Sequence, residues 1–163
     1  MNYLKTSIGI FILLAVSRFI PHPPNFTNLL TLSFYVPLFL GISFIPIIIF
    51  SFLVTDLYFG FHSSLFFTWG SVALIGYLSV YFKSSTAKRF LGVSSAAILF
   101  FIVSNFGVWV SGGYGYTMGG LINCYILAIP FFWGTLSSTI IYAIIIEFAY
   151  KIYLKSYKKI RVS

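Results

Sequence analysis

The stretch Leu29–Thr55, LLTLSFYVPLFLGISFIPIIIFSFLVT, contains no charged residue. A helix needs about 20 apolar residues to cross a bilayer, so this stretch is long for one upright span and short for two. It contains Pro37, Gly41 and Pro46, and both residue types interrupt helices. We predict a tight helical hairpin that turns near Gly41. The alternative is one long kinked helix.

The composition of the whole chain excludes a soluble protein. Of the 163 residues, 60% are hydrophobic and 7% are charged, whereas soluble domains carry roughly a quarter charged residues. A disordered chain would need low hydrophobicity and high charge. The composition therefore predicts an all-α integral membrane protein, with residues 1–163 forming a single transmembrane domain.

The apolar stretches predict about six transmembrane helices when the hairpin counts as two, and five when it is one kinked helix. The six spans are predicted at residues 4–20, 29–41, 42–55, 64–82, 90–106 and 129–150. A glycine-rich loop at 107–120 and a basic tail at 151–163 lie outside these spans.

The ten basic residues predict the orientation of the chain. Eight of them lie in the Lys83–Arg89 loop and the C-terminal tail, and basic loops remain on the cytoplasmic side of membranes. The C-terminus is therefore expected in the cytoplasm, and six spans place the N-terminus there too. The basic tail favours anionic lipid headgroups of the bilayer. No segment is long enough to fold into a basic surface for nucleic acid.

This orientation gathers polar residues at the outer ends of the helices. Polar groups in a membrane are costly unless they face one another or a cavity, so their clustering predicts an outward-facing pocket. Arg18 can bind a carboxylate or phosphate, or pair with Asp56, the only acid on that side. The predicted substrate-binding residues are Arg18, His22, Asn25, Asp56, His62, Asn105, Trp109, Tyr114, Asn123 and Cys124.

Other motifs narrow the chemistry. A single cysteine and two histidines offer no multi-cysteine or HExxH metal site, so we expect no metal and no cofactor. The loop at 107–120 has several glycines among aromatic residues, which suits a lid. No Gly-Lys-Ser/Thr follows these glycines, so no ATPase activity is expected. Glu147 is predicted to pair with Lys151, four residues later on the same helix.

Four separated motifs resemble a group of small, uncharacterised bacterial integral membrane proteins. That group is similar to the substrate-binding (S) components of energy-coupling-factor vitamin transporters. The motifs are Arg18-Phe19 with Pro21-His22-Pro23-Pro24-Asn25-Phe26; Thr55-Asp56-Leu57 with Gly60-Phe61-His62; Ser104-Asn105-Phe106-Gly107-Val108-Trp109; and Gly120-Leu121, Cys124-Tyr125 and Ala128-Ile129-Pro130-Phe131-Phe132.

The resemblance implies a six-helix bundle in the bacterial cytoplasmic (inner) membrane with a vitamin-sized, outward-facing pocket. It also implies a transmembrane coupling subunit with ATPases as partner. The implied ligands are vitamin-like molecules, and cobalamin is a candidate if Cys124 contacts the ligand. The chain departs from these patterns in two places, one from the S components and one from the group itself. Its first helix lacks a small-xxx-small pair for docking, and residues 134–139 lack an acid that the group often has there.

The sequence thus predicts a non-enzymatic, substrate-binding membrane subunit for vitamin uptake. A non-transport scaffold of the cell envelope and a small stand-alone permease are the alternatives. An intramembrane enzyme would need a nucleophile with a base, for instance Cys124 with His62.

Overall fold

The computed structural model describes residues 2–162, and the side chains of residues 2–156. Within that part of the chain the protein is all-helical, with six α-helices and two short 3₁₀ turns. The helices are α1 Tyr3–Phe19, α2 Leu29–Leu40, α3 Ile45–Phe59, α4 Leu65–Ser79, α5 Thr86–Val110 and α6 Met118–Val162, with 3₁₀ turns at Ile42–Phe44 and Val80–Phe82. The prediction of a six-helix, all-α membrane protein is confirmed.

Four segments are long and apolar enough to cross a membrane. They are Ile42–Phe59, Leu65–Phe82, Thr86–Val110 and Met118–Ser156. Large apolar side chains on these segments point away from the bundle, for example Leu91, Ile98 and Ile145, each at least half exposed. Such an exposed apolar surface is typical of helices that contact lipid.

The hairpin between α2 and α3 turns at Gly41, as predicted. Gly41 adopts φ 109°, which an L-residue with a side chain rarely adopts, and its amide donates to the Pro37 carbonyl to close α2. Pro46 lies in the first turn of α3, where its missing amide costs no helical hydrogen bond. Gly41 and Pro46 therefore shape the turn, whereas Pro37 does not interrupt α2 but lies inside it.

α2 is the central helix of the bundle. Eight of its 12 residues are buried, and it contributes to both apolar cores. One core joins it to α4, α5 and α6 through residues such as Phe34, Val93 and Ala143. The other joins it to α1, α3 and α4 through Leu32, Leu14 and Ile48. At 1.5 Å per residue α2 is roughly 18 Å long, so it is shorter than the helices around it.

α6 differs most from its prediction. The predicted span began at residue 129, but the helix begins at Met118 and continues through Pro130. Proline removes one backbone donor, and in a membrane bundle neighbouring groups satisfy the freed carbonyl, so the helix is not broken. The glycine-rich loop shrinks to residues 111–117, because α5 also extends beyond its predicted end to Val110.

Glu147 does not pair with Lys151 as predicted. It accepts two hydrogen bonds from Arg89 of α5, from Nε at 2.6 Å and from Nη2 at 2.8 Å. Tyr35 of α2 donates to the same carboxylate at 3.1 Å. The guanidinium lies over the rings of Phe39 and Tyr150. This buried network ties α2, α5 and α6 together, and we call this end of the bundle the Glu147 end.

Candidate functional site

At the opposite end of the bundle, Arg18 and Asp56 form a second ion pair. Arg18 lies in the last turn of α1, and its Nη1 donates to Asp56 Oδ1 at 2.5 Å and to Thr55 Oγ1 at 2.6 Å. α3 continues to Phe59, past its predicted end at residue 55, so Asp56 lies within the helix. The two helices pack together, which brings the charges into contact. We call this end the Asp56 end.

Trp69 completes the coordination of the Asp56 carboxylate. Its indole Nε1 donates to Asp56 Oδ2 at 2.8 Å, so both carboxylate oxygens are hydrogen-bonded. A buried charge is tolerated when it is paired and hydrogen-bonded in this way. The side chain of Asp56 is 4% exposed and that of Arg18 is 21% exposed. The Arg18 side chain, and not that of Asp56, is therefore accessible at this end of the bundle.

The Arg18 guanidinium is held on several sides but keeps free donors. It lies 5.5 Å from the ring centre of Phe52 and 5.4 Å from that of Phe59, which favours a fixed orientation. Its Nε and Nη2 groups donate to no residue in the part of the chain that the structure describes. These donors match the spacing of a carboxylate or phosphate.

The Arg18 side chain lines a cavity of about 370 Å³ at the Asp56 end of the bundle. Leu29 and Leu30 line it, so the cavity lies at the N-terminus of the short helix α2. Its walls combine hydroxyl, amide and imidazole groups with apolar side chains. The lining residues are Arg18, His22, Asn25, Thr27, Leu29, Leu30, Phe52, Phe59, Thr68, Val72, Phe100, Thr135 and Ser138. We call it the central cavity.

The proline-rich segment 21–28 forms one wall of the central cavity. It rests on α6 at Gly134, where a Cβ atom would lie 2.6 Å from the Pro24 carbonyl oxygen. Ser138 Oγ contacts the Asn25 carbonyl at 3.5 Å, and Asn25 itself has φ 57°, a conformation that asparagine tolerates better than most residues. Gly134 therefore permits the close approach that positions this wall.

A smaller cavity of about 210 Å³ adjoins the first. Asn25, Phe100 and Thr135 line both cavities, and Asn105 lines the smaller one. The Asn105 amide donates to the Phe101 carbonyl at 2.7 Å, so its amide nitrogen is already engaged within α5.

The structure brings together only part of the predicted site. Arg18, His22 and Asn25 line the central cavity, Asp56 supports Arg18 from behind, and Asn105 lines the neighbouring cavity. The other five predicted residues line neither of these two cavities. They are His62, Trp109, Tyr114, Asn123 and Cys124.

Each of the five has a local environment of its own. His62 Nδ1 lies 3.1 Å from Ser64 Oγ, and Trp109 donates to the Gly115 carbonyl at 3.0 Å. Tyr114 belongs to the turn at residues 111–117, and Asn123 lies on the exposed side of α6. Cys124 is buried between α6 and α5, where its thiol contacts the Asn105 carbonyl at 3.4 Å. Within the described residues, no three His, Cys, Asp or Glu side chains form a metal-binding group.

Several site residues were missed by sequence reasoning. Thr68, Thr135 and Ser138 line the central cavity, and Trp69 orients Asp56. Thr135 and Ser138 are three residues apart and so share one helix face. This spacing alone indicates a binding site only weakly. Hydroxyl residues in membrane helices usually bond the carbonyl one turn back, as Ser138 does with Thr135 at 2.9 Å.

The fold and the site together define the class: an all-α membrane protein with a cavity at one end of the bundle, lined by one buttressed arginine. The chain belongs to the DUF6580 family, a family of unknown function whose model matches residues 2–160. No curated protein and no solved structure matches the chain.

Proposed function

We propose that the chain is a substrate-binding membrane subunit for uptake of a vitamin-like small molecule, bound in the central cavity. The observation that carries the proposal is the Arg18 guanidinium, which lines the cavity while Asp56 and Thr55 hold it in place. A preorganised cation in a partly apolar cavity is the arrangement expected of a binding site. A scaffold could use the ion pair to join α1 to α3, but it would need no cavity beside the pair.

The size and lining of the cavity support a compact ligand. Its volume of about 370 Å³ lies near the lower end of small-molecule sites. Phe52, Phe59 and Phe100 offer an apolar surface, and the hydroxyl groups of Thr68, Thr135 and Ser138 offer hydrogen bonds. The cobalamin expectation depended on Cys124, which does not line the cavity. A ligand smaller than a corrin is therefore favoured.

The energy for uptake would come from a partner. The chain has no phosphate-binding loop, and its two acids are both engaged in ion pairs with arginine. Neither is a free carboxylate for proton coupling. A coupling subunit with ATPases, as the resemblance to S components implies, fits this better than a stand-alone permease.

The charges support an outward-facing cavity in the bacterial cytoplasmic membrane. Lys83, Lys88 and the basic end of α6 lie at the Glu147 end, which the positive-inside rule assigns to the cytoplasm. The Asp56 end would then face outward.

This orientation predicts the labelling of two single-cysteine variants in a Cys124→Ala background. Ser63 and Ser84 are both exposed, and they lie in loops at opposite ends of the bundle. In intact cells, a membrane-impermeant maleimide should label Ser63→Cys fully and Ser84→Cys only after the cells are opened. The reverse pattern would place the cavity on the cytoplasmic side and contradict uptake.

The direct test of the proposal is purification from the native membrane in detergent, followed by mass spectrometry of the small molecules released by denaturation. A single enriched compound, present in wild type and lost in Arg18→Ala, is the expected result. If no compound is enriched under any growth condition, and Arg18→Ala matches wild type, the envelope scaffold becomes the better account.

Gly134→Ala is expected to weaken ligand binding by roughly tenfold or more, because a Cβ atom there would displace the Pro24 carbonyl and shift the cavity wall. Gly70→Ala is the matched control, since a Cβ atom on this helical glycine meets nothing within 4 Å. Titration of the identified ligand against both purified variants makes the comparison. Equal affinities would show that segment 21–28 is not part of the binding site.

A further inference from the structure

A third cavity, of about 400 Å³, lies on the side of the bundle between α1 and α6. We call it the side cavity. Its walls are one face of α1, the end of segment 21–28, and one tyrosine of α6. The lining residues are Ile12, Leu13, Val16, Ser17, Ile20, His22, Phe26, Thr27, Asn28 and Tyr142.

The side cavity opens onto an exposed apolar face of α1. Ile12, Leu13 and Val16 are each 52% exposed, and they belong to an apolar helix. α1 packs mainly on α3, and α6 packs mainly on α5. The space between α1 and α6 is therefore bounded by segment 21–28 and not by close helix packing.

The side cavity and the central cavity meet at segment 21–28. His22 and Thr27 line both of them. The rings of Phe26 and Tyr142 are in contact across the opening, with centroids 6.3 Å apart. Segment 21–28 therefore lies between the side cavity and the central cavity that Arg18 lines.

We infer that the ligand is an acidic amphiphile that enters the central cavity from the bilayer, between α1 and α6. This inference rests on the proposed function. The acid would be bound by the free Nε and Nη2 donors of Arg18, near the N-terminus of α2, whose dipole also favours an anion. The apolar body would lie against Phe52, Phe59 and Phe100. The Phe26–Tyr142 contact would open to admit it.

The test uses 2-bromoundecanoate as the probe, because bromine quenches tryptophan on contact and the 2-position lies beside the carboxylate, the end that Arg18 would hold near Trp69. Trp69 is the reporter, in a Trp109→Phe/Trp133→Phe background reconstituted in vesicles. The probe should quench Trp69 saturably, and excess undecanoate should reverse the quenching. Arg18→Met should lose the saturable part and keep only the weak quenching from probe dissolved in lipid.

Val16→Phe narrows the side cavity without touching the central one. We expect it to lower the rate of saturable quenching by about tenfold, within the range over which association rates of related variants vary. The extent of quenching at equilibrium should change little. Ile8→Phe is the matched control, since Ile8 is 50% exposed on the same helix and lines neither cavity; it should quench at the wild-type rate.

The possible failures are distinguishable. Equal rates in Val16→Phe and wild type would overturn entry from the bilayer. Absence of saturable quenching in wild type would overturn the acidic amphiphile. In either case, a compound that co-purifies in an Arg18-dependent way would leave the proposed function standing. If no such compound co-purifies, the proposed function and the inference that rests on it are both wrong.

Discussion

Arg89→Ala is expected to lower the free energy of unfolding by about 3–5 kcal/mol, because it leaves the Glu147 carboxylate buried without its cation. Arg89 and Glu147 are bound through two hydrogen bonds, and their side chains are 8% and 4% exposed. For a chain of this size the change corresponds to a fall in Tm of about 10 °C. Thermal unfolding in detergent, followed by circular dichroism, measures it.

Two further variants separate the charge from the packing at this pair. The double variant Arg89→Met/Glu147→Leu removes both charges and keeps apolar volume, so it should recover most of the loss. Lys88→Ala removes a neighbouring, exposed cation and should change stability by no more than about 0.5 kcal/mol. A wild-type Tm in Arg89→Ala would show that the network does not hold the helices together.

Arg18→Ala is expected to weaken ligand binding by roughly thirtyfold or more, since removing one partner of a desolvated, hydrogen-bonded charge pair costs about 2–5 kcal/mol. Asp56→Asn should weaken binding less, because an amide can still accept from Trp69 while the guanidinium loses its anchor. Arg18→Lys should not restore full affinity, since an ammonium lacks the two parallel donors of a guanidinium.

Lys5→Ala is the matched control for Arg18→Ala, because it removes a cation from the opposite end of the same helix. It should bind the ligand with wild-type affinity. All of these variants should insert into the membrane normally, since neither Arg18 nor Asp56 sets the topology. Wild-type affinity in both Arg18→Ala and Asp56→Ala would exclude the central cavity as the binding site.

The helices near Gly41 could be predicted because local chemistry decides them. A glycine, which can adopt a positive φ, followed five residues later by a proline leaves few structures open to an apolar stretch of that length. The start of α6 could not be predicted in the same way. Pro130 reads as an interruption in sequence, and only packing within the bundle shows that the helix continues through it.

The two ion pairs show how far the sequence predicts the contacts of the charged residues. Arg18 and Asp56 could be paired from sequence, because topology placed one cation and one acid at the same end. Glu147 was assigned to Lys151 because helical spacing favours the near partner. Arg89 is 58 residues away, and its contact depends on how α5 packs against α6. Hydroxyl residues such as Thr135 often bond the backbone of their own helix, so the sequence does not show which of them line a cavity.

The length of α6 has a mechanical consequence. The helix carries the cavity wall at Ser138, is fixed to α5 and α2 at Glu147, and continues to Val162. At 1.5 Å per residue these two arms measure roughly 14 Å and 23 Å. If α6 tilts as a rigid rod about the Glu147 network, a shift of the cavity wall at Ser138 moves the basic end of the helix in the opposite direction, through a distance roughly 1.7 times as large.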